Sequence, residues 1–414
     1  MNDNEMNDLV REIRKEIVMK RNPALEFSGG ELDRELMELI ESVVFEKAGP
    51  ASFSAVEIKK TVDLVFNQMR RLDIIEPFVN DRTITEIMIN GPDKIFIEKQ
   101  GLVIKTDAVF ESRERLEDII QAIVARVNRS VNEAEPIVDA RLEDGSRVNV
   151  VLPPIALNGP LVTIRKFPDK PMTIQDLIQY DSISAEAADF LDKLVKSKYN
   201  IFICGGTGSG KTSFLNALSS LIPGDERIVT IEDSAELQLS SVENIARLET
   251  RNANTEGKGE IRMKSLIKTS LRMRPERVIV GEVRGDEALD MLQAMNTGHD
   301  GSMSTGHANS TDDMLSRLET MVLMAAPLPL DAIRKQIASA LDIIIFLSRM
   351  RDHTRRTLEI SEVLDYKNGV IELNPLYLFE YEGEDANGRI IGGLKRTGNE
   401  MSNKWKAQLR GISL

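Results

Sequence analysis

A short glycine-rich segment carries the residue types that bind phosphate groups. It matches the pattern G-x-x-x-x-G-K-[ST], known as Walker A or the P-loop, and runs on into a serine: Gly205, Gly206, Thr207, Gly208, Ser209, Gly210, Lys211, Thr212 and Ser213. Glycines let a loop adopt positive φ, so that successive backbone N–H groups can point at phosphate oxygens. Lys211 would reach the β- and γ-phosphates, and the Thr212 hydroxyl would ligate Mg²⁺. The segment therefore predicts a site for a nucleotide with Mg²⁺.

The sequence on either side of the P-loop fits the same interpretation. Residues 200–204 are apolar and predict a short buried strand, and residues 213–218 predict a helix. The amino end of such a helix adds a partial positive charge directed at a bound anion. The alternative is a glycine-rich strand-to-helix turn that binds nothing. The type of both flanking elements favours the phosphate site.

Acidic residues follow two later predicted strands. Glu232 and Asp233 end the first of them, and the stretch 277–285 resembles a Walker B strand in which Gly281 takes the place of the usual Mg²⁺-binding aspartate. Ligands bind at the carboxyl ends of strands in open α/β sheets. Glu282 is placed to orient and deprotonate an attacking water, while Glu232 or Asp233 lies near the water shell of the metal. The pattern leaves open which of Glu232 and Glu282 is the base.

Two of the three histidines flank the predicted strand 301–305. His307 follows this strand, where its side chain could donate a hydrogen bond to the γ-phosphate and so sense its presence. A single histidine more often has a purely structural role. The position of His307 beside the other motifs favours the phosphate role instead.

The chain as a whole has the composition of a globular protein with two or three domains. It has 414 residues, of which 42% are hydrophobic and 29% are charged. Its formal net charge of −13 argues against a broad DNA-binding surface, which would need clustered lysine and arginine. We therefore expect no stable nucleic-acid binding.

Several features of the sequence predict a cytoplasmic location. The first residues are acidic and no apolar segment follows them, which is unlike a signal peptide. No apolar run is long enough to span a bilayer. The one cysteine, Cys204, is expected to be a small buried core residue, and a single cysteine cannot form an internal disulfide.

The amino-terminal part of the chain predicts two regions and a linker. Residues 1–75 have apolar residues at helical spacing and predict a small bundle of three helices, which either docks on another protein or packs on its own domain. Residues 76–167 predict an α+β domain with short strands, one longer helix and a hairpin. The proline-containing residues 168–173 predict a linker.

From residue 174 to residue 414, strands alternate with helices, which indicates an α/β domain with a largely parallel sheet. The predicted strands are 200–204, 228–232, 278–282, 301–305 and 342–347, with antiparallel additions at 359–364 and 370–373. A basic tail from Lys395 onward surrounds Trp405. We expect this tail to be solvated, with contact to a membrane-bound partner as the alternative.

The motifs taken together resemble those of the type II/type IV secretion and type IV pilus ATPases. Their order is Walker A, an acidic box from Thr230 to Glu236, a Walker B strand that lacks its aspartate, and a histidine box from Gly298 to His307. Two longer strings, 271–285 and 288–302, resemble the CpaF-type branch, which powers Tad/Flp pili. The resemblance covers about residues 130–350. Gly306 departs from it, since an aliphatic residue is expected before the histidine.

This resemblance implies a hexameric ring of chains, each with an α+β (PAS-like) amino-terminal domain followed by a RecA-like P-loop ATPase domain. It implies that ATP binds with Mg²⁺ between the domains, and that the amino-terminal domain supplies arginines to the phosphates. The matching positions are Arg147 and Arg165, which could otherwise pair with surface acids. It also implies a cytoplasmic motor that is peripheral at the inner membrane, where it acts on platform proteins of a pilus or secretion machine.

Two other functions fit parts of the sequence. A nucleic-acid translocating motor could use the same RecA-like core, but the acidic balance and the single tryptophan argue against it. A scaffold could bind ATP without useful turnover, but Lys211, Thr212, Glu232 and Glu282 are all present and argue for hydrolysis. The sequence does not distinguish pilus extension from retraction.

Overall fold

The computed structural model describes residues 3–19, 30–52, 54–70, 72–99, 101–125, 129–142, 144–167, 170–239, 241–253 and 258–414. The chain divides into two compact units, Met1–Asp169 and Lys170–Leu414. The predicted linker 168–173 spans this division, and its residues 168 and 169 lie outside the described residues. The predicted domain boundaries remain predictions.

The first unit begins with the predicted helical bundle. Its three helices are α1 (Asp3–Met19), α2 (Gly30–Ser52) and α3 (Ala55–Arg70). Ser54 and Glu57 form a capping box at the start of α3, in which the Ser54 backbone N–H donates to the Glu57 carboxylate at 2.9 Å. The three helices share one apolar core, formed by Val10, Ile13, Ile17, Leu36, Ile40, Val43, Val44, Val62, Val65 and Phe66.

An antiparallel sheet follows in the same unit. After a short 3₁₀ turn, its elements are α4 (Glu76–Asn80), β1 (Ile84–Asn90), β2 (Ile95–Lys99), β3 (Leu102–Lys105), α5 (Arg113–Ala125), β4 (Ile137–Arg141), β5 (Arg147–Val151) and β6 (Leu161–Arg165). The strand order is β3-β2-β1-β6-β5-β4 within the described residues. The apolar face of α5 packs into the core of this sheet. The predicted α+β architecture is confirmed.

The second unit is built on a large mixed sheet. Its first elements are α6 (Ile174–Gln179), α7 (Ala185–Lys196), β7 (Ile201–Gly205), α8 (Lys211–Ser219), β8 (Ile228–Glu232), β9 (Ile245–Glu249), α9 (Met263–Ser270) and β10 (Arg277–Val280). The remaining elements are α10 (Glu287–Asn296), β11 (Met303–Gly306), α11 (Thr311–Ala325), α12 (Leu330–Ala340), β12 (Ile343–Arg349), β13 (Arg355–Lys367), β14 (Val370–Glu384), β15 (Ile390–Arg396) and α13 (Trp405–Leu409).

Strand order places β7 in the interior of this sheet. The order among the described residues is β15-β14-β13-β12-β7-β11-β10-β8-β9, with parallel pairing from β12 to β9 and antiparallel pairing from β12 to β15. Ile201 and Ile203 face one apolar core, while Phe202 and Cys204 face the other. Both faces of β7 are therefore buried, as expected for a central parallel strand. The prediction of an α/β sheet, and of a buried Cys204, is confirmed.

The expectation of a solvated basic tail is wrong for Lys406, whereas Lys395, Arg396 and Arg410 are exposed as expected. Lys406 in α13 is buried, and its ammonium lies 2.8 Å from the Asp300 carboxylate and 2.7 Å from that of Asp342. Ala407 is also buried, and the Tyr199 hydroxyl donates to the Asn403 carbonyl. Lys406 and Ala407 of this segment pack inward because the nearly buried Asp342 carboxylate, the half-buried Asp300 carboxylate and an apolar core lie beneath them.

None of the helices that the structure describes is long and apolar enough to cross a membrane.

Candidate nucleotide-binding site

The P-loop joins β7 to α8, as the sequence predicts. Gly208 and Gly210 have φ of +72° and +93°, values that side-chain-bearing residues rarely adopt. Gly210 is the residue before the first turn of α8, so the backbone N–H groups at this helix end point back toward the loop. The backbone thus has the form of an anion-binding loop.

Lys211 is folded back onto the P-loop. Its side chain is buried, and its ammonium donates to the carbonyl of Gly205 at 3.1 Å and to that of Gly206 at 3.0 Å. The same ammonium lies 3.3 Å from Nδ1 of His307. A bound phosphate would offer this cation stronger acceptors than neutral carbonyls do.

Glu282 and His307 meet at the ends of two neighbouring strands. Glu282 follows β10 and His307 follows β11, and Nε2 of His307 lies 2.8 Å from Oε1 of Glu282. Arg284 lies 2.7 Å from the other carboxylate oxygen of Glu282. These residues join the Walker B and histidine motifs in one cluster with Lys211.

The contacts of His307 indicate which ring nitrogen carries the proton. An ammonium can only donate, so Nδ1 accepts from Lys211, and the proton of the neutral ring is on Nε2, the nitrogen that lies 2.8 Å from Oε1 of Glu282. Burial, and next the Lys211 charge, hold the pKa of His307 below its usual range. The imidazole is therefore neutral near pH 7.

Glu232 lies deeper in the sheet than Glu282. Its side chain is 3% exposed, and one carboxylate oxygen accepts from the backbone N–H groups of Glu236 at 2.7 Å and Leu237 at 3.0 Å. A Cβ at Gly281 would stand 3.0 Å from Cγ of Glu232. The unusual Gly281 is thus explained, because the glutamate of β8 occupies the space that a Walker B side chain would need.

The departure at Gly306 has a similar cause. A Cβ there would stand 3.0 Å from the Phe202 ring and 3.1 Å from the Met314 side chain. Gly306 pairs with Cys204 across the parallel strands, which places His307 just beyond the sheet edge. The side chains of Phe202 and Met314 fill the space that the expected aliphatic side chain would occupy at this position.

Two other predicted residues lie at the same edge. Asp233 is exposed, and the Thr250 hydroxyl donates to its backbone carbonyl at 3.2 Å. Thr212 is half-buried in the first turn of α8. Hydroxyl and carboxylate oxygens are suitable Mg²⁺ ligands, and Mg²⁺ is commonly held by few protein groups together with phosphates and water. The described residues contain no group of three or more His, Cys, Asp or Glu side chains placed to hold a metal ion.

The two predicted arginines of the first unit are direct neighbours. Arg147 on β5 pairs with Arg165 on β6, and Arg141 on β4 pairs with Arg147 from the other side. Three arginines therefore form a row on one face of the sheet. Like charges placed opposite each other across strands are unfavourable. Glu86 on β1 stands opposite Arg165 on its other side, where its charge offsets part of this repulsion. Sequence reasoning missed Arg141.

Sequence reasoning also missed two arginines beside the P-loop cluster. Arg284 contacts Glu282, and Arg355 at the start of β13 donates to the Gly208 carbonyl at 3.0 Å. Arg284 belongs to the string 271–285 together with Glu282, so its position close to Glu282 could have been expected from the sequence. Arg355 lies 147 residues from Gly208 and belongs to no motif.

A phosphate-binding loop after an interior parallel strand, with a glutamate and a histidine at the ends of neighbouring strands, defines a P-loop nucleotide-binding protein of the α/β class. The sequence model of the type II/IV secretion system protein family matches residues 68–376, about three quarters of the chain. The chain belongs to this family.

Individual relatives agree with that membership. Conjugal transfer protein TrbB of Rhizobium radiobacter is 33% identical over 295 residues, which cover 70% of this chain and 87% of the relative. Type IV secretion system protein PtlH of Bordetella pertussis is 32% identical over 305 residues, which cover 67% and 89%. The solved structure of the ATPase DotB from Yersinia pseudotuberculosis is 16% identical with a TM-score of 0.50, covers 77% of this chain and 82% of its own, and supports the fold.

Proposed function

We propose that this chain is an ATP hydrolase that powers a secretion or pilus machine. The observation that carries the proposal is the contact chain from Lys211 through His307 to Glu282, at 3.3 Å and 2.8 Å. It links Lys211, the residue expected to bind the phosphates, to the Glu282 carboxylate, which can accept a proton from water. Membership of the type II/IV secretion system protein family supports the same conclusion, as does the similarity to PtlH, a type IV secretion system protein.

Glu282 is the better candidate for the general base. Its side chain is 19% exposed and lies at the sheet edge next to His307. Glu232 is nearly fully buried and one of its oxygens already accepts two backbone N–H groups, which fixes the loop after β8. We assign water activation to Glu282, and to Glu232 the support of the metal's water shell, with Asp233 as a further contributor.

The P-loop residues and Thr212 would hold ATP with Mg²⁺. The metal would neutralise phosphate charge when bound. The residues themselves orient the phosphates through loop N–H groups, through Lys211 and through the amino end of α8. His307 would sense the γ-phosphate, because its Nδ1 contacts Lys211 and would lose that contact when the phosphate attracts the lysine. Arg147 and Arg165, with Arg141 beside them, would bind phosphate oxygens.

The finer assignment is to the CpaF-type branch that powers Tad/Flp pili. The strings 271–285 and 288–302 support it. In this proposal six copies of the chain form a ring that is cytoplasmic and peripheral at the inner membrane, where it drives platform proteins to assemble, and in some systems retract, a pilus.

Oligomer formation and hydrolysis can be tested together. ATPase activity per mole of chain should rise with protein concentration, in step with the fraction of hexamer measured by light scattering. Glu282→Gln should form the same hexamer in the presence of ATP without turnover. A fully active monomer would contradict the ring proposal. Hydrolysis that depends on added single- or double-stranded DNA would favour a nucleic-acid motor instead.

A further inference from the structure

The turn between β12 and β13, residues 349–355, lies against the P-loop. We call this segment the arginine turn. A Cβ at Gly210 would stand 3.3 Å from Cδ of Arg355, and a Cβ at Gly208 would stand 3.9 Å from Cδ of Arg349. The approach of Arg355 is therefore tight at Gly210, whereas Arg349 would be in ordinary van der Waals contact with a Cβ at Gly208.

A hydrogen bond joins the arginine turn to the loop. Nε of Arg355 donates to the Gly208 carbonyl at 3.0 Å. A loop whose N–H groups converge on an anion directs carbonyls away from it, and a guanidinium suits such a carbonyl because its bond is charge-assisted. Lys211 already donates to the carbonyls of Gly205 and Gly206. Two cations therefore hold three carbonyls of the P-loop.

The backbone of Arg355 is fixed by a separate part of the unit. The Ser182 hydroxyl, in the turn between α6 and α7, donates to the Arg355 carbonyl at 2.6 Å. The backbone N–H of Thr357 donates to the Ser182 carbonyl at 2.8 Å. These two bonds set the start of β13, so the position of the Arg355 guanidinium does not depend on the P-loop alone.

We propose that Arg355 is a positioning residue that holds the P-loop in its nucleotide-binding shape. This inference rests on the proposed ATPase function, in which Lys211 leaves the loop carbonyls for the phosphates of ATP. The Arg355–Gly208 bond does not involve Lys211 and persists when that lysine moves. A loop that already has its bound shape loses less conformational freedom on binding, so Arg355 acts on affinity more than on the chemical step.

Arg355→Ala tests this role in the full-length protein. Titration calorimetry with ATP and Mg²⁺ should show a dissociation constant raised at least about fivefold, as expected for loss of a charge-assisted hydrogen bond. KM for ATP should rise in parallel, while kcat stays within about twofold, as expected when only binding is lost. Arg355→Lys should recover part of the affinity because lysine can also donate to a carbonyl. Ser182→Ala should raise the dissociation constant in the same direction.

Arg351→Ala is the matched control. Arg351 lies in the same turn, but its guanidinium donates to the Tyr381 hydroxyl at 3.1 Å and pairs with Glu384, so ATP affinity should not change. Melting curves without ATP distinguish a local effect of Arg355→Ala from unfolding. If Arg355→Ala does not fold, the same measurements on Arg355→Lys and Ser182→Ala test the proposal. Wild-type affinity in the Arg355 variants, or a fall in kcat alone, overturns the positioning role. Failure of the wild type itself to bind ATP overturns the proposed function.

Discussion

His307 and Glu282 lie 2.8 Å apart, at the ends of two adjacent parallel strands. Their backbones are joined as well, since the Thr305 hydroxyl donates to the Gly281 carbonyl at 2.8 Å and the Val283 N–H donates to the Thr305 carbonyl at 2.9 Å. A phosphate that draws Lys211 away from His307 would therefore change the environment of Glu282. ATP binding can therefore act on Glu282, the proposed base, through Lys211 and His307.

Replacement of Glu232 and Glu282, the two glutamates at the carboxyl ends of β8 and β10, should separate their roles. Glu282→Gln is expected to bind ATP normally while turnover falls about a hundredfold or more, as for loss of a general base. Glu232→Gln should disturb the loop after β8, because its oxygen accepts from Glu236 and Leu237, so ATP affinity and thermal stability should fall with turnover. Calorimetry, phosphate release and melting curves measure the three quantities. Normal turnover in Glu282→Gln would exclude it as the base.

The kcat/KM for ATP should depend on pH through His307. Its pKa is lowered from the usual 6.5, so the ring is neutral at pH 7 and takes up a proton only as pH falls below that value. In the ATP-free protein the added proton on Nδ1 would face the Lys211 ammonium, with Arg284 and Arg317 nearby, so kcat/KM for ATP should fall on the acidic side. His307→Gln should be slower at pH 7 but should lack this decline. An identical acidic decline in the variant would assign it to another group.

The arginine row of the first unit should matter for turnover. Arg147→Ala and Arg165→Ala are each expected to lower turnover by about a thousandfold, the scale of arginine contributions to phosphoryl transfer, with a smaller loss of ATP affinity. Arg113→Ala serves as the control, because its side chain pairs with Glu117 on the exposed face of α5. Unchanged turnover in both row variants would mean that the arginines do not bind phosphate.

The carboxyl-terminal helix should contribute stability rather than chemistry. Lys406→Ala leaves the Asp342 carboxylate buried without its cation, so the free energy of unfolding should fall by about 3 kcal/mol. Lys404→Ala removes an exposed pair with Glu400, and should cost less than about 1 kcal/mol. Urea unfolding monitored by circular dichroism gives both values. Equal effects of the two changes would contradict the buried ion-pair assignment.

Local sequence patterns predicted much of this structure. The P-loop, the strand ends that carry Glu232 and Glu282, and the helical bundle follow from periodicity and from motifs that occupy a few consecutive residues. Strand β9 was missed because its residues alternate between half-buried and exposed positions at the sheet edge and give a weak apolar signal. Strand β15 was missed because Gly392 and Gly393 interrupt its apolar pattern after Ile390 and Ile391.

Contacts between distant residues account for the remaining errors. Lys406 looked like part of a solvated basic tail because its partners, Asp300 and Asp342, lie 106 and 64 residues earlier in the chain. Arg355 gave no signal for the same reason. The reason for Gly281 also became visible only with the neighbouring strand in place, since Glu232 fills the space beside it.

The most direct test of the account is phosphate release from ATP by the wild type and by Lys211→Ala, measured with Mg²⁺ at a protein concentration above which the wild-type activity per mole of chain no longer rises. The wild type should release phosphate steadily. Lys211→Ala should lose at least about 99% of that rate, because it removes the group that contacts both the phosphates and His307, while its melting curve without ATP stays close to that of the wild type. Wild-type phosphate release by a folded Lys211→Ala protein would contradict the assignment of this loop as the site of ATP hydrolysis.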